Sequence, residues 1–127
     1  MTTFLQNIEE STLQNNNFRQ VLYTDQHTQL VLMSLLPSEE IGMEVHEIVD
    51  QFIRVEAGSG TVIMNGEEHL IKDGDAFVIP AKTHHNVINT STDAPLKLYT
   101  LYSPPHHKDG ITHKTKQEAE ADTEDHI

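Results

Sequence analysis

The sequence predicts an all-β domain, either a sandwich or a closed barrel. Between Phe18 and Tyr102 the chain falls into short runs rich in Val, Ile, Leu and Tyr, many alternating polar and apolar residues at period two. The gaps between the runs are turn chemistry: Gly58-Ser59-Gly60, Asn65-Gly66, Asp73-Gly74 and the polar stretch from Asn89 to Pro95. No part of that span holds a helical period over a useful length.

The elements follow in order. Residues 1–17 are polar and Asn-rich and read as a loose N-terminal segment with a helical turn near Leu5–Glu10. Strands are expected at FRQVLYT (18–24), QLVLMSLL (29–36), MEVH (43–46) and QFIRVEAG (51–58). GTVIMNG (60–66), EHLI (68–71), DAFVIP (75–80), HNVINT (85–90) and LKLYTLY (96–102) continue the series. Asn65-Gly66 between two strand runs predicts a hairpin with a type I′ turn, in which both central residues take positive φ. The β domain is thus placed at 18–105, and a tail poor in large apolar residues at 106–127. Thr115-x-x-Glu118 is a capping-box pattern, so the tail reads either as one solvated helix or as a frayed acidic end.

With 127 residues the chain has room for one core and not two. Its net charge of -12 argues against nucleic acid and anionic membrane surfaces, which need a basic patch. Part of that charge is local, in Glu118, Glu120, Asp122, Glu124 and Asp125. There is no cysteine, so no disulfide and no thiolate ligand is available, and a cytoplasmic address is expected. The first residues lack the basic start and apolar run of a signal peptide. No apolar stretch approaches the ~18–20 residues that cross a bilayer.

Electron-donating side chains interrupt this β pattern. Glu44 and His46 are two apart and so share a face of a strand. Gln51 opens the next strand and can return beside them, whereas His85 can join only if the sheet closes or folds over. Two imidazoles and a carboxylate are the donor set of non-haem iron sites, and an amide oxygen can add a fourth, uncharged ligand.

These residues and their spacing resemble the cupin family. The first cupin motif runs His-x-His, three or four residues, Glu, six residues, Gly; here Glu44, His46, Gln51 and Gly58 stand in step. The second runs Gly, five residues, Pro-x-Gly, two residues, His, three residues, Asn; here Gly74, Pro80, Lys82, His85 and Asn89 fall at those positions. Three residues depart from the pattern. Glu44 replaces a His and Gln51 replaces the Glu, so the carboxylate has moved within the site. Lys82 replaces a turn Gly, which stores strain of about 1 kcal/mol or more if that turn needs positive φ. The resemblance implies a cupin jelly-roll β-barrel with a divalent metal (Mn, Fe, Ni, Co or Zn) held by Glu44, His46, Gln51 and His85. Gln51 has a second reading, as a hydrogen-bonding residue behind the ligands.

Other residues follow from alternation. Asp50 and His84 point away from their ligand neighbours, and Arg54 lies off the Gln51–Ile53–Val55 face and is expected to pair outside. Asn89 shares the face of His85 and is either a substrate contact or a structural amide. Tyr102 alternates with Leu96, Leu98 and Thr100 and either lines the pocket or packs in the core. His106, His107 and His113 are expected as solvated tail residues, with a lid over the barrel mouth or adventitious metal binding as the alternative.

The expected function is a metal-dependent enzyme acting on a small oxygen-rich molecule. Either sugar-like isomerase or lyase chemistry fits, with Glu44, if displaced from the metal, or a bound water as base, or dioxygenase chemistry does. The alternative is a non-catalytic module that binds a sugar or other small ligand. A homodimer is expected from the apolar faces of VLYT and QLVLMSLL.

Overall fold

A computed structural model of the chain describes residues 3–125. Among them the strands are β1 (Arg19–Thr24), β2 (Gln29–Leu35), β3 (Asp50–Ala57), β4 (Ser59–Met64), β5 (Glu67–Lys72), β6 (Ala76–Ile79), β7 (His85–Ile88), β8 (Leu96–Ser103) and β9 (Thr112–His113). A six-stranded sheet has the order β6-β3-β8-β2-β1-β9, and a three-stranded sheet the order β5-β4-β7. Every pairing is antiparallel. The two sheets bury their facing sides together as a jelly-roll barrel: Val31, Met33, Ile53, Val55 and Leu98 from one meet Val62, Ile71 and Val87 from the other.

Alternation decides what reaches the interior. On β8, Leu96, Leu98, Thr100 and Tyr102 are all buried. Gln29 of β2 and Gln51 of β3 flank Tyr102 in register, one on each side. This row brings polar side chains into one end of an otherwise apolar barrel.

The predicted hairpin is present. Asn65 and Gly66 join β4 to β5 with φ of 49° and 84°. Gly58, which closes the first motif, has φ of 91°, and a Cβ there would run into the carbonyl oxygen of Pro95. Backbone strain and overpacking both exclude a side chain at that position.

Three expectations change, and one open alternative is decided. MEVH is not a strand; it meets β7 through one isolated bridge, Glu44 with His85, and a second bridge, Glu40 with Ile88, lies just before it. The N-terminal helix lies further on, as α1 (Ile8–Gln14), because Asn7 caps it by accepting the Glu10 N–H at 3.0 Å. The β2 run offers no exposed apolar face, since it is buried along its whole length. α1 packs across β2, β3 and β8, and Lys97 of β8 holds its end, donating from Nζ to the carbonyls of Leu13 and Asn15. The tail, finally, is not frayed up to Asp125: β9 pairs with β1, and α2 (Lys116–Ala121) is capped by Thr115, which accepts the Glu118 N–H at 3.1 Å. Ala119 of α2 joins the core. No described helix is long and apolar enough to cross a membrane.

Candidate metal centre

Backbone hydrogen bonds set the site. Glu44 and His85 form a reciprocal antiparallel pair, each N–H donating to the other's carbonyl at 2.8 Å. Directly opposed residues of such a pair present their side chains together. His46, two residues on, is fixed by its carbonyl, which accepts the Lys82 N–H at 2.7 Å. Asp50 ties the same two segments from outside, its Oδ1 accepting the Ala81 N–H at 2.8 Å. Lys82 has φ of 70°, so the left-handed turn is real and carries a lysine where glycine is easier. Lys82→Gly is expected to raise stability by up to about 1 kcal/mol, the relief of left-handed strain less the extra chain entropy of glycine. Thermal denaturation that shows a lower midpoint would contradict this.

The three side chains converge. The Glu44 Oε1 lies 3.9 Å from His46 Nε2 and 3.9 Å from His85 Nε2, and one donor atom from each residue falls within 4.8 Å of the others. Two donors bound to one ion at ~2.1 Å each can stand at most ~4.2 Å apart, so the Glu44 distances are compatible with a shared ion. The Nε2 atoms of His46 and His85 are buried without a hydrogen-bond partner, and so is Oε1 of Gln51. Buried acceptors are normally satisfied. Two of them, the imidazole Nε2 atoms, stand beside a carboxylate and fit a cation. His85 is oriented for it: Nδ1–H donates to the Thr83 carbonyl at 2.8 Å, which turns Nε2 toward Glu44. Gln51 is held likewise, Nε2 donating to Thr100 Oγ1 at 3.0 Å. Glu44, His46 and His85 therefore form a group that could hold a metal ion, with Gln51 Oε1 as a further acceptor.

Burial, together with the His106 and His85 imidazoles, lowers the His46 pKa to about 4, so its ring is neutral at pH 7. Burial and then the Arg19 guanidinium hold His107 far below its ordinary range. Its contact with Asp125 is therefore not an ion pair: a neutral ring donates from Nδ1–H to Asp125 Oδ2 at 2.9 Å. Nε2 of the same ring lies 3.3 Å from the Tyr102 hydroxyl, which donates to it, and burial pushes that hydroxyl above the ordinary phenol range. A pH dependence follows. In the unfolded chain these imidazoles titrate near 6.5, so it takes up protons that the folded chain refuses. Stability of the metal-free protein should fall as pH drops below 6.5, by up to about tenfold in folding constant per group per pH unit. Urea denaturation between pH 7.5 and 5 measures the slope, and His107→Asn should make it shallower.

The remaining predicted residues divide. Tyr102 packs edge-on to His46, ring centroids 6.1 Å apart, and stacks on His106 at 5.4 Å. His84 is exposed as expected, and Arg54 pairs with Glu56 at 3.2 Å. Asn89 is fully buried and acts structurally, Nδ2 donating to the carbonyls of Leu35, Leu36 and Ala94 while Oδ1 accepts the Ser91 N–H. It does not line the cavity at the candidate centre. The tail histidines are not solvated. His107 and His113 are buried, the latter 3.0 Å from Asp122, and the His106 ring lies 4.3 Å from that of His46.

A cavity of about 190 Å³ opens on the centre, lined by Arg19, Glu44, Val45, His46, His106, His107 and Asp125. Arg19 and Asp125 were not singled out from the sequence. The available signal for Arg19 was its place two residues before Val21, on the inward side of β1. Gln29 was missed too: its buried Oε1 accepts the N–H groups of both His106 and His107, and its Nε2 donates to the His107 carbonyl.

Residues 31–102, more than half of the chain, match the family described as the cupin domain. The chain belongs to the cupin family. This cupin is 49% identical over 124 residues to the uncharacterised protein YrkC of Bacillus subtilis (strain 168), covering 93% of this chain and 66% of YrkC. It thus spans just under two thirds of that relative's length. It is 44% identical over 110 residues to the uncharacterised protein L612 of Acanthamoeba polyphaga mimivirus, covering 84% of this chain and 69% of L612. The crystal structure of BH2720 from Bacillus halodurans is similar at a TM-score of 0.92 and 44% identity, covering 94% of this chain and 95% of that one.

Proposed function

We propose that this cupin is a divalent-metal-dependent enzyme acting on a small oxygen-rich molecule in the barrel mouth. The observation that carries the reading is the pair of buried, unpartnered Nε2 atoms of His46 and His85 beside the Glu44 carboxylate. Glu44, His46 and His85 would hold the ion, with Gln51 as a fourth donor, and the set suits Mn, Fe, Co, Ni or Zn. When bound, such an ion supplies Lewis acidity toward substrate oxygens, or redox chemistry.

The chain's own groups do the rest. His46 presents a neutral ring, and His85 Nε2 faces the same point. The Glu44 side chain, 31% exposed, stands at the cavity wall where a carboxylate can take a proton from a substrate carbon or hydroxyl. The Tyr102 and His106 rings, stacked beside His46, narrow the water around it.

Two chemistries fit: proton transfer between carbons, as in an isomerase or lyase, and dioxygenase chemistry on an enol or diol. Protein purified without a His-tag is analysed for metal, then assayed with diols and enols under air and under nitrogen. Turnover under nitrogen supports the first route, and oxygen consumption the second. Glu44→Gln should abolish turnover in either case. Metal-bound protein that binds such compounds and never turns them over would instead be a non-catalytic binding module.

We also propose a homodimer in the cytoplasm. Leu36, Met43, Val45 and Ile48 expose apolar side chains along one stretch of chain, and cysteine is absent. Sedimentation that finds only monomer at micromolar concentration would count against the dimer.

A further inference from the structure

We propose that Arg19 anchors a carboxylate of the substrate, so that the molecule taken up beside the candidate metal centre is a small organic acid; this rests on the metal-site reading above. Arg19 lies on β1, paired with Met33 on one side and His113 on the other. Its side chain lines the cavity that Glu44 and His46 also line.

The guanidinium is buried without a counter-charge. Arg19 is 6% exposed, and its Nε has no acceptor. No carboxylate of the described residues lies within ion-pair distance of it. Its guanidinium carbon lies 5.3 Å from the centroid of the Phe18 ring. Buried guanidinium groups are ordinarily paired, because an unpaired one forfeits its solvation for nothing. Two carboxylates share the cavity and neither pairs with Arg19: Asp125 Oδ2 accepts from His107 Nδ1 and its Oδ1 accepts the Lys108 N–H, while Glu44 Oε1 stands 3.9 Å from Nε2 of both His46 and His85.

Charge and size agree. With a dication in place, the carboxylates of Glu44 and Asp125 cancel its charge, and Arg19 leaves one positive charge that a monocarboxylate neutralises. A guanidinium meets a carboxylate through two parallel N–H···O bonds, which fixes orientation as well as charge. A cavity of about 190 Å³ holds about six waters at ~30 Å³ each, which suits an acid of a few carbons and not an oligosaccharide. The metal would take a neighbouring hydroxyl or keto oxygen of the same molecule.

The test compares lactate and 3-hydroxypropanoate with propane-1,2-diol and propane-1,3-diol, which carry the same carbons without the charge. Binding to Mn²⁺-loaded wild type, Arg19→Met and Arg19→Lys is measured by calorimetry, with metal content determined on each sample. Arg19→Met should weaken the better acid at least tenfold, leave the diols within threefold, and keep its metal; Arg19→Lys should recover part of the loss. Because no ion pair among the described residues holds Arg19, the Met variant should melt at or above the wild-type midpoint. Equal acid binding by wild type and Arg19→Met, no acid binding by metal-loaded wild type, or an unfolded Met variant would each overturn the proposal. If wild type takes up no metal, it is the metal-site reading that fails. Arg19 is then judged by whether the acids raise the melting point of wild type and not of Arg19→Met.

Discussion

The His46→Ala and His85→Ala proteins are expected to purify folded and nearly free of metal. Each substitution removes one of the buried acceptors that face the Glu44 carboxylate, and neither imidazole Nε2 has a protein partner to lose. Loss of residues that merely orient ligands costs ~10–100-fold in metal affinity, so loss of a ligand should exceed about 100-fold. The fold should tolerate both changes. His85 gives up one hydrogen bond, to the Thr83 carbonyl, worth about 1 kcal/mol. The Glu44–His85 bridge that aligns the site is made by backbone and survives. Far-UV circular dichroism checks the fold and elemental analysis the metal. Full stoichiometry in both variants would remove the assignment.

Gln29→Ala should be the most destabilising single change at the barrel mouth, by about 3–5 kcal/mol. The amide is fully buried and holds the tail against the barrel. Its Oε1 accepts the N–H groups of His106 and His107 at 3.1 and 2.9 Å, and its Nε2 donates to the His107 carbonyl at 2.7 Å. Truncation strands those backbone groups, each at about 1–3 kcal/mol when left unsatisfied, and opens a cavity besides. Urea denaturation gives the loss. Amide exchange shows its location, since protection at His106 and His107 should fall before protection at Leu98 or Ile53. An unchanged exchange pattern would mean that the tail is held by something other than this amide.

The barrel was legible because alternation is a local signal. The runs of β3, β4 and β8 each carry their own inward face, and Asn65-Gly66 states its own turn. Where a structure depended on a distant partner, the sequence was silent. The MEVH segment has the residues of a strand, but a single isolated bridge at Glu44 ties it to β7, so it never joins a ladder. The QLVLMSLL run is continuous rather than alternating, the pattern of a strand covered on both faces. It was read as a dimer face, and α1 lies across that strand within the chain instead. Glu44, His46 and His85 were legible as a cluster, since two separate spacings converge on them, and the structure brings their side chains together.

The tail shows the limit best. Nothing local in His106-His107 says that the chain, having left the barrel at Ser103, turns back over its mouth. Thr112 and His113 then pair with β1, more than ninety residues earlier. Arg19 was passed over for a related reason: a charge on an alternating strand is ordinarily a solvated charge. Only the closed barrel shows that its face is the inner one.

Anomalous diffraction from crystals of the untagged protein soaked in Mn²⁺ tests the central claim most directly. A single peak within ~2.0–2.3 Å of His46 Nε2, His85 Nε2 and a Glu44 carboxylate oxygen is the predicted result. A peak confined to the acidic surface of the C-terminal segment, or none at full manganese concentration, would contradict it.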